Sequence, residues 1–121
     1  MLNLDTHILL YALAGGLTPQ ERALLAGDEW SISGIVIWEI AKLTELRRIE
    51  ADLDDSELTR LLSSIRVWPI TLDVGRAMLK LDFASDPADE LIAATSIVHR
   101  IPLLTRDSRI RKSKVVPLAG G

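Results

Sequence analysis

The chain reads as an α/β protein with a mostly parallel sheet and helices on both faces. Three observations lead there. Strand-like stretches at residues 2–4, 30–33, 67–72 and 103–105 are separated by stretches of helical length rather than by two-residue hairpins, the pattern of β-α-β units. Apolar residues make up 48% of the chain while Phe, Trp and Tyr together make 4%, so the core must be aliphatic. At 121 residues, with no repeat, low-complexity segment or dividing linker, residues 1–121 form one domain with one core.

The elements follow in order. Leu2 and Leu4 mark a buried first strand, which delivers Asp5 at its carboxyl end. A helix from His7 to Leu13 ends at Gly15-Gly16. Thr18-Pro19-Gln20-Glu21 starts the next helix, with Thr18 as N-cap, Pro19 in the first turn and Glu21 closing a capping box, and that helix stops near Gly27. Trp30 to Ser33 is a second strand, followed by a long helix from Ile35 to Arg48, an acidic turn, and a helix from Ser56 to Ile65. Val67 to Leu72 reads as a third strand, placed at an edge by Pro69. A helix from Val74 to Leu81 precedes the Ser85-Asp86-Pro87 break, and a small-residue helix runs from Pro87 to His99. Leu103 to Thr105 is a fourth strand and Val115 to Leu118 a fifth.

Composition narrows the chemistry. There are no cysteines and two histidines far apart in sequence, which excludes disulfides and thiolate sites and disfavours a zinc centre. Any metal would be a hard cation on carboxylates. No apolar run approaches the ~20 residues of a membrane span, and a first strand at residue 2 leaves no room for a leader, so the expected location is cytoplasmic. Net charge is −3, yet the charges are segregated. Arg100, Arg106, Arg109, Arg111, Lys112 and Lys114 face only Asp107 in their stretch, while Glu50, Asp52, Asp54, Asp55 and Glu57 carry no base among them. Such segregation either sets a basic rim beside an acidic centre or is a solvated face.

Several acids stand where turn chemistry alone does not need them. In parallel sheets, ligands bind outside the carboxyl ends of the strands, and Asp5 sits there, either as a helix cap or as a ligand. Glu39 has Ile35, Val36, Leu43 and Leu46 at −4, −3, +4 and +7, so it lies on an apolar helical stripe. A carboxylate there needs a partner, either Lys42 at +3 or a cation. Asp86 suits the N-cap of the helix from Pro87, and Asp89 the cleft at its first turn. Asp107 repeats Asp5's position after its own strand. Thr6 and Thr105 are hydroxyls beside those acids, suited to orient them. Carboxylates brought together repel. Divalent cations relieve that and can activate a water for attack on a phosphodiester, so the residues indicate metal-dependent phosphoryl transfer.

LDTHILLY, WEIAKL, DPADELIAAT and LLTRD, in this order across residues 2–118, resemble the PIN-domain ribonucleases, and more narrowly the VapC-type toxins of toxin–antitoxin pairs. The resemblance implies a PIN-like, three-layer fold around a five-stranded parallel sheet, and an acidic cleft holding Mg²⁺ or Mn²⁺. It also implies endonucleolytic cleavage of RNA, a cognate VapB-type antitoxin and a homodimer. By match of motif, Asp5, Glu39, Asp89 and Asp107 take the places of the catalytic, metal-holding acids, and Asp86 that of an accompanying acid. The chain departs from the pattern at Val36, which replaces a capping serine and leaves Ser33 or Gly34 to cap, and at Glu90, which stands where members with DPADR carry Arg.

With that resemblance in place, Arg106, Arg109, Arg111 and Lys112 become candidates to hold RNA phosphates. Trp30, Trp38 and Trp68 read as core, His7 as a surface residue, and His99 as a complement to its helix dipole. Two other readings compete: a PIN fold kept as a non-catalytic module in an antitoxin–DNA complex, and a receiver-type phospho-acceptor domain. The latter should show paired acids after the first strand, where Asp5 stands alone.

Overall fold

The computed structural model describes residues 1–49 and 53–120. Its elements are β1 (Leu2–Leu4), α1 (Thr6–Ala14), α2 (Pro19–Ala26), β2 (Trp30–Ser33), α3 (Gly34–Glu45), α4 (Ser56–Ser64), β3 (Arg66–Trp68), α5 (Leu72–Met78), α6 (Pro87–His99), β4 (Leu103–Leu104) and α7 (Ser108–Arg111). The strands form one sheet in the order β3-β2-β1-β4, and every pairing is parallel. Registers place Leu2 beside Trp30, Asn3 beside Leu103, and Ser33 beside Trp68. Glu50 and Asp52 of the acidic turn lie outside the described residues.

All residues of β1 are buried. Alternate side chains of a strand point to opposite faces, so burial of Leu2, Asn3 and Leu4 alike means that both faces of the sheet are covered. Leu4, Ile8, Leu9, Ile32, Ile40, Ile92, Leu103 and Ile110 are at 0% exposure and form the centre of the core. Helix α6 lies against the sheet through its small residues, with Ala93, Ala94, Thr95 and Ser96 all buried. Asn3 secures it, donating from Nδ2 to the Ile92 carbonyl at 3.2 Å and to Ser96 Oγ at 2.9 Å.

Caps fix the helix starts near the site. Ser33 caps α3, its hydroxyl accepting from the Ile35 N–H, which supplies the cap that Val36 does not. Thr18 and Glu21 form the expected capping box of α2. Gly15 ends α1 in the left-handed region at φ 85°, a conformation glycine adopts without steric cost.

Several expectations need correction. The third strand runs from Arg66 to Trp68 and stops well short of Leu72, because its partner β2 ends at Ser33 and Thr71 caps α5 from Leu72. The fifth strand shrinks to a single parallel bridge, Leu103 to Leu118. Pro117 has no N–H to extend a ladder, and the Ser113 hydroxyl turns the preceding chain by accepting from the N–H groups of Val115 and Val116. Trp38 is 53% exposed, because α3 turns Val36 and Ile40 inward and a residue two positions from each points away. His99 lies in the last turn of α6, as expected, and also makes a contact that the sequence did not show. It stacks on Trp68 at 3.8 Å between ring centroids, and burial, with Arg66 nearby, pushes its pKa down. Asp86 occupies the N-cap position of α6 but its side chain makes no capping hydrogen bond.

Candidate metal centre

β1 ends in Asp5, and the chain turns at once into α1. The carboxylate therefore meets two donors: Oδ1 accepts from the Thr6 N–H at 2.7 Å, and Oδ2 from the Thr105 hydroxyl at 2.6 Å. The residue that caps α1 is thus also a candidate site residue. Asp5 is only 6% exposed. Burial pushes its pKa up, while the hydrogen bonds from Thr105 and Thr6 work against that rise.

Glu39 arrives from α3 and Asp89 from the first turn of α6. Asp5, Glu39 and Asp89 each present a carboxylate oxygen within 4.8 Å of the others. Lys42 does not neutralise Glu39, since it pairs with Glu45 at 3.1 Å. Glu39 Oε1 is buried with no hydrogen-bond partner among the described residues, an arrangement that costs free energy unless something else meets the oxygen. Asp89 carries the clearest electrostatic consequence. Burial first, then the neighbouring Asp5, Glu39 and Asp107 carboxylates, push its pKa up to about 6, against the pull of a hydrogen bond from Ser85.

This donor set fits a hard divalent cation. Mg²⁺ holds oxygens at roughly 2.1 Å in octahedral geometry, which sets ligand oxygens about 3–4 Å apart. The three acids each offer an oxygen within 4.8 Å of the others, repulsion from its neighbours helps push the Asp89 pKa up, and one Glu39 oxygen has no partner among the described residues.

Asp107 stands apart from the three. Its Oδ1 caps α7, accepting from the N–H groups of Arg109 at 2.9 Å and Ile110 at 3.1 Å. It still lines the same cleft, about 260 Å³ in volume, together with Asp5, His7, Tyr11, Asp89 and Arg106. His7 is exposed at its mouth. Thr105 bridges the two aspartates, donating to Asp5 and accepting from the Asp107 N–H at 3.0 Å. Thr6 is fully buried beside Asp5, and its hydroxyl has no partner among the described residues. Asp86 is exposed.

Two contributors escaped the sequence reading. Ser85 donates to Asp89 Oδ2 at 3.0 Å, and its own N–H reaches Glu90 Oε2 at 3.4 Å. The signal available was a hydroxyl directly ahead of Asp86-Pro87. Glu21 is the other. It is buried and receives a forked pair of hydrogen bonds from Arg106 at 2.8 and 2.6 Å, and the guanidinium holds its pKa down at about 2.

The four basic candidates divide accordingly. Arg106 is engaged by Glu21 and by the Gly16 carbonyl at 2.9 Å. Arg111 donates to the carbonyls of Thr105 and Ala119. Arg109 makes one long contact, 3.4 Å, to the Ala84 carbonyl, and Lys112 is exposed.

Among the described residues, no helix is long and apolar enough to cross a membrane. The family model for the PIN domain matches residues 3–115. Ribonuclease VapC22 of Mycobacterium tuberculosis is 33% identical, over 92% of this chain and 90% of its own length. The crystal structure of VapBC2 from Rickettsia felis bound to a promoter DNA fragment contains a chain with a TM-score of 0.74 at 20% identity, covering 98% of this chain and 97% of that one. A toxin–antitoxin complex from Klebsiella pneumoniae contains another, with a TM-score of 0.66 at 20% identity over 93% and 91% of the two chains. A whole-length sequence match, a shared fold and an acid cluster at the carboxyl edge of the sheet agree, and the chain belongs to the PIN-domain family, among its VapC-type members.

Proposed function

We propose that the protein is a metal-dependent endoribonuclease, the toxin of a toxin–antitoxin pair, restrained by a VapB-type antitoxin. The observation that carries this is the convergence of Asp5, Glu39 and Asp89 with one buried, unpartnered carboxylate oxygen among them. The ribonuclease relative supports the reaction, and the likeness to toxin–antitoxin complexes supports the partner. Exposed apolar side chains, among them Trp38, Leu46, Leu72 and Leu79, suit a chain that works with a protein partner and as a homodimer.

In this reading Asp5, Glu39 and Asp89 hold Mg²⁺ or Mn²⁺, with Asp107 at the cleft wall completing the acidic set. When bound, the ion supplies an activated water and charge neutralisation at the phosphodiester. The chain's own part is to prepare the ligands. Thr105 and Ser85 orient the Asp5 and Asp89 carboxylates, since hydrogen bonds to ligand groups set their direction and basicity. Arg109 and Lys112, following Asp107 on α7 and just beyond it, are placed to meet RNA phosphates. The toxin would act in the cytoplasm, on RNA.

The test is Asp5→Asn, which keeps a side-chain oxygen for the α1 cap while removing the charge. The wild type should cleave a mixed RNA pool with Mg²⁺ or Mn²⁺, stop on addition of EDTA, and arrest growth when expressed without antitoxin. Asp5→Asn should fold, leave the RNA intact and permit growth. Cleavage by this variant at the wild-type rate would sink the reading.

A further inference from the structure

We propose that Arg106 is a positioning residue: anchored on Glu21 of α2, it holds the Thr105–Asp107 segment against the acid cluster. The inference rests on the metal-site reading above and adds a device that maintains the site.

Arg106 lies between two residues that serve the cleft. Thr105 donates to Asp5 and accepts from Asp107, as described. Arg106 itself ties this segment to the neighbouring helices α1 and α2. Its Nε donates to Glu21 Oε2 at 2.8 Å, and its Nη2 to Glu21 Oε1 at 2.6 Å. The same Nη2 donates to the Gly16 carbonyl at 2.9 Å, and the guanidinium carbon sits 4.0 Å from the centroid of the Tyr11 ring. One side chain thus connects the segment after β4 to α1, to the α1–α2 turn and to α2.

The anchor is stiff. The Glu21 side chain is 11% exposed, and its Oε1 also accepts from the Thr18 N–H at 2.8 Å. Glu21 is therefore held by the capping box that starts α2, and it passes that fixity on to Arg106. Bidentate pairing and stacking on an aromatic face are properties of a planar guanidinium, and an ammonium reproduces neither. The position calls for geometry more than for charge.

An RNA-binding role asks for the opposite. Counterion release at a phosphate needs an available positive charge, whereas Glu21 already neutralises this one. Handing Arg106 to a phosphate would cost its bonds to Glu21 and Gly16 and uncover a buried carboxylate.

The test uses the full chain carrying Arg106→Lys, Glu21→Gln, or both, each verified to keep the wild-type circular dichroism and to melt well above the assay temperature. Two quantities are read: Mn²⁺ affinity by calorimetry, and kcat and KM on one defined single-stranded RNA. Each single variant should bind Mn²⁺ about tenfold more weakly, the scale of lost support around a metal ligand, and lose about tenfold in kcat with KM unchanged. The double variant should fall no further than the worse single, because the two side chains act as one unit. A raised KM with unchanged Mn²⁺ affinity would make Arg106 an RNA contact and overturn the proposal. Wild-type behaviour of both singles, or losses that multiply, would overturn it as well. If Arg106→Lys does not fold, Glu21→Gln alone decides by the same readings. A wild type that binds Mn²⁺ but cuts no RNA refutes the ribonuclease reading, and the Mn²⁺ affinities still decide Arg106. A wild type that binds no Mn²⁺ removes both.

Discussion

The Thr105 hydroxyl donates to Asp5 Oδ2 at 2.6 Å across 100 residues of chain. β1 and β4 are neighbours in the sheet, so the residues that follow them emerge side by side. The hydrogen bond converts that adjacency into a fixed carboxylate. It also opposes the upward push that burial exerts on the Asp5 pKa.

Thr105→Val keeps the shape of the side chain and removes the donor. The buried carboxylate then loses a charge-assisted hydrogen bond, and stability should fall by about 1–3 kcal/mol in metal-free protein. Asp5 should also become harder to ionise, so Mn²⁺ affinity at pH 6 should drop about tenfold. Thr105→Ser should restore most of both. Thermal melts and a metal titration of the two variants measure this directly.

As a metal ligand, Asp89 would set a pH window for binding. Its folded-state pKa is raised to about 6, above the unfolded value of roughly 3.9. The folded metal-free protein therefore holds that proton more tightly than the unfolded chain does. Stability from this group is full below pH ~4 and is lost as pH rises through about 6; the carboxyl is only half-buried, so solvent screening reduces the effect to about 1 kcal/mol. Metal binding has the opposite sign, because the carboxylate must be deprotonated to act as a ligand. Below pH 6, Mn²⁺ affinity should fall about tenfold per unit of pH and binding should release protons. Calorimetry in two buffers of different ionisation enthalpy counts them, and Asp89→Asn should flatten the apo-protein slope between pH 4 and 6, leaving the part due to Asp5, whose pKa burial also raises.

Glu21 works in a separate window and in the other direction. Its pKa is held down at about 2 by Arg106, so its stabilising effect is present above pH ~4.5 and is lost as pH falls toward 2. The Arg106 partner is 39% exposed on its side chain, and solvent screening reduces the effect to about 1 kcal/mol. Acid melts between pH 5 and 2 should show this loss in the wild type. Glu21→Gln should be less stable at pH 6 and flatter across that range.

The parts of the site that the sequence made legible are those set by local rules. Glu39 declared itself because a charge on an apolar helical stripe is conspicuous, and Asp5 and Asp107 because each follows a short aliphatic run. What was hidden depends on distance in sequence or on rotamer. Glu21 and Arg106 are 85 residues apart, and each had a local role to satisfy it, one as a capping-box acid and the other as part of a basic run. Asp107 has two oxygens, and which way they turn is settled by the α7 cap rather than by its position after β4. Trp38 was misplaced because its residue type outweighed its phase on α3, where Val36 and Ile40 define the inward side. The fifth strand failed on two residues, Pro117, which has no N–H to extend the ladder, and Ser113, whose hydroxyl turns the chain at Val115 and Val116.

Gly16 tests the wall of the cleft from a residue that bears no charge. Its φ is not in the left-handed region, so backbone freedom does not explain a glycine here. A Cβ at this position would come within 2.9 Å of Tyr11 Cδ1, closer than such atoms pack. The Tyr11 ring cannot simply yield, because the Arg106 guanidinium lies over its face while the Gly16 carbonyl holds that same guanidinium. Gly16→Ala should therefore destabilise the protein by about 1–3 kcal/mol, the scale of overpacking. Tyr11→Leu, which removes the ring, should abolish most of that penalty in the double variant. Melts of the two single variants and the double give the coupling, and an alanine at 16 that costs nothing in the wild-type background would mean that the Tyr11–Arg106 wall is looser than the geometry indicates.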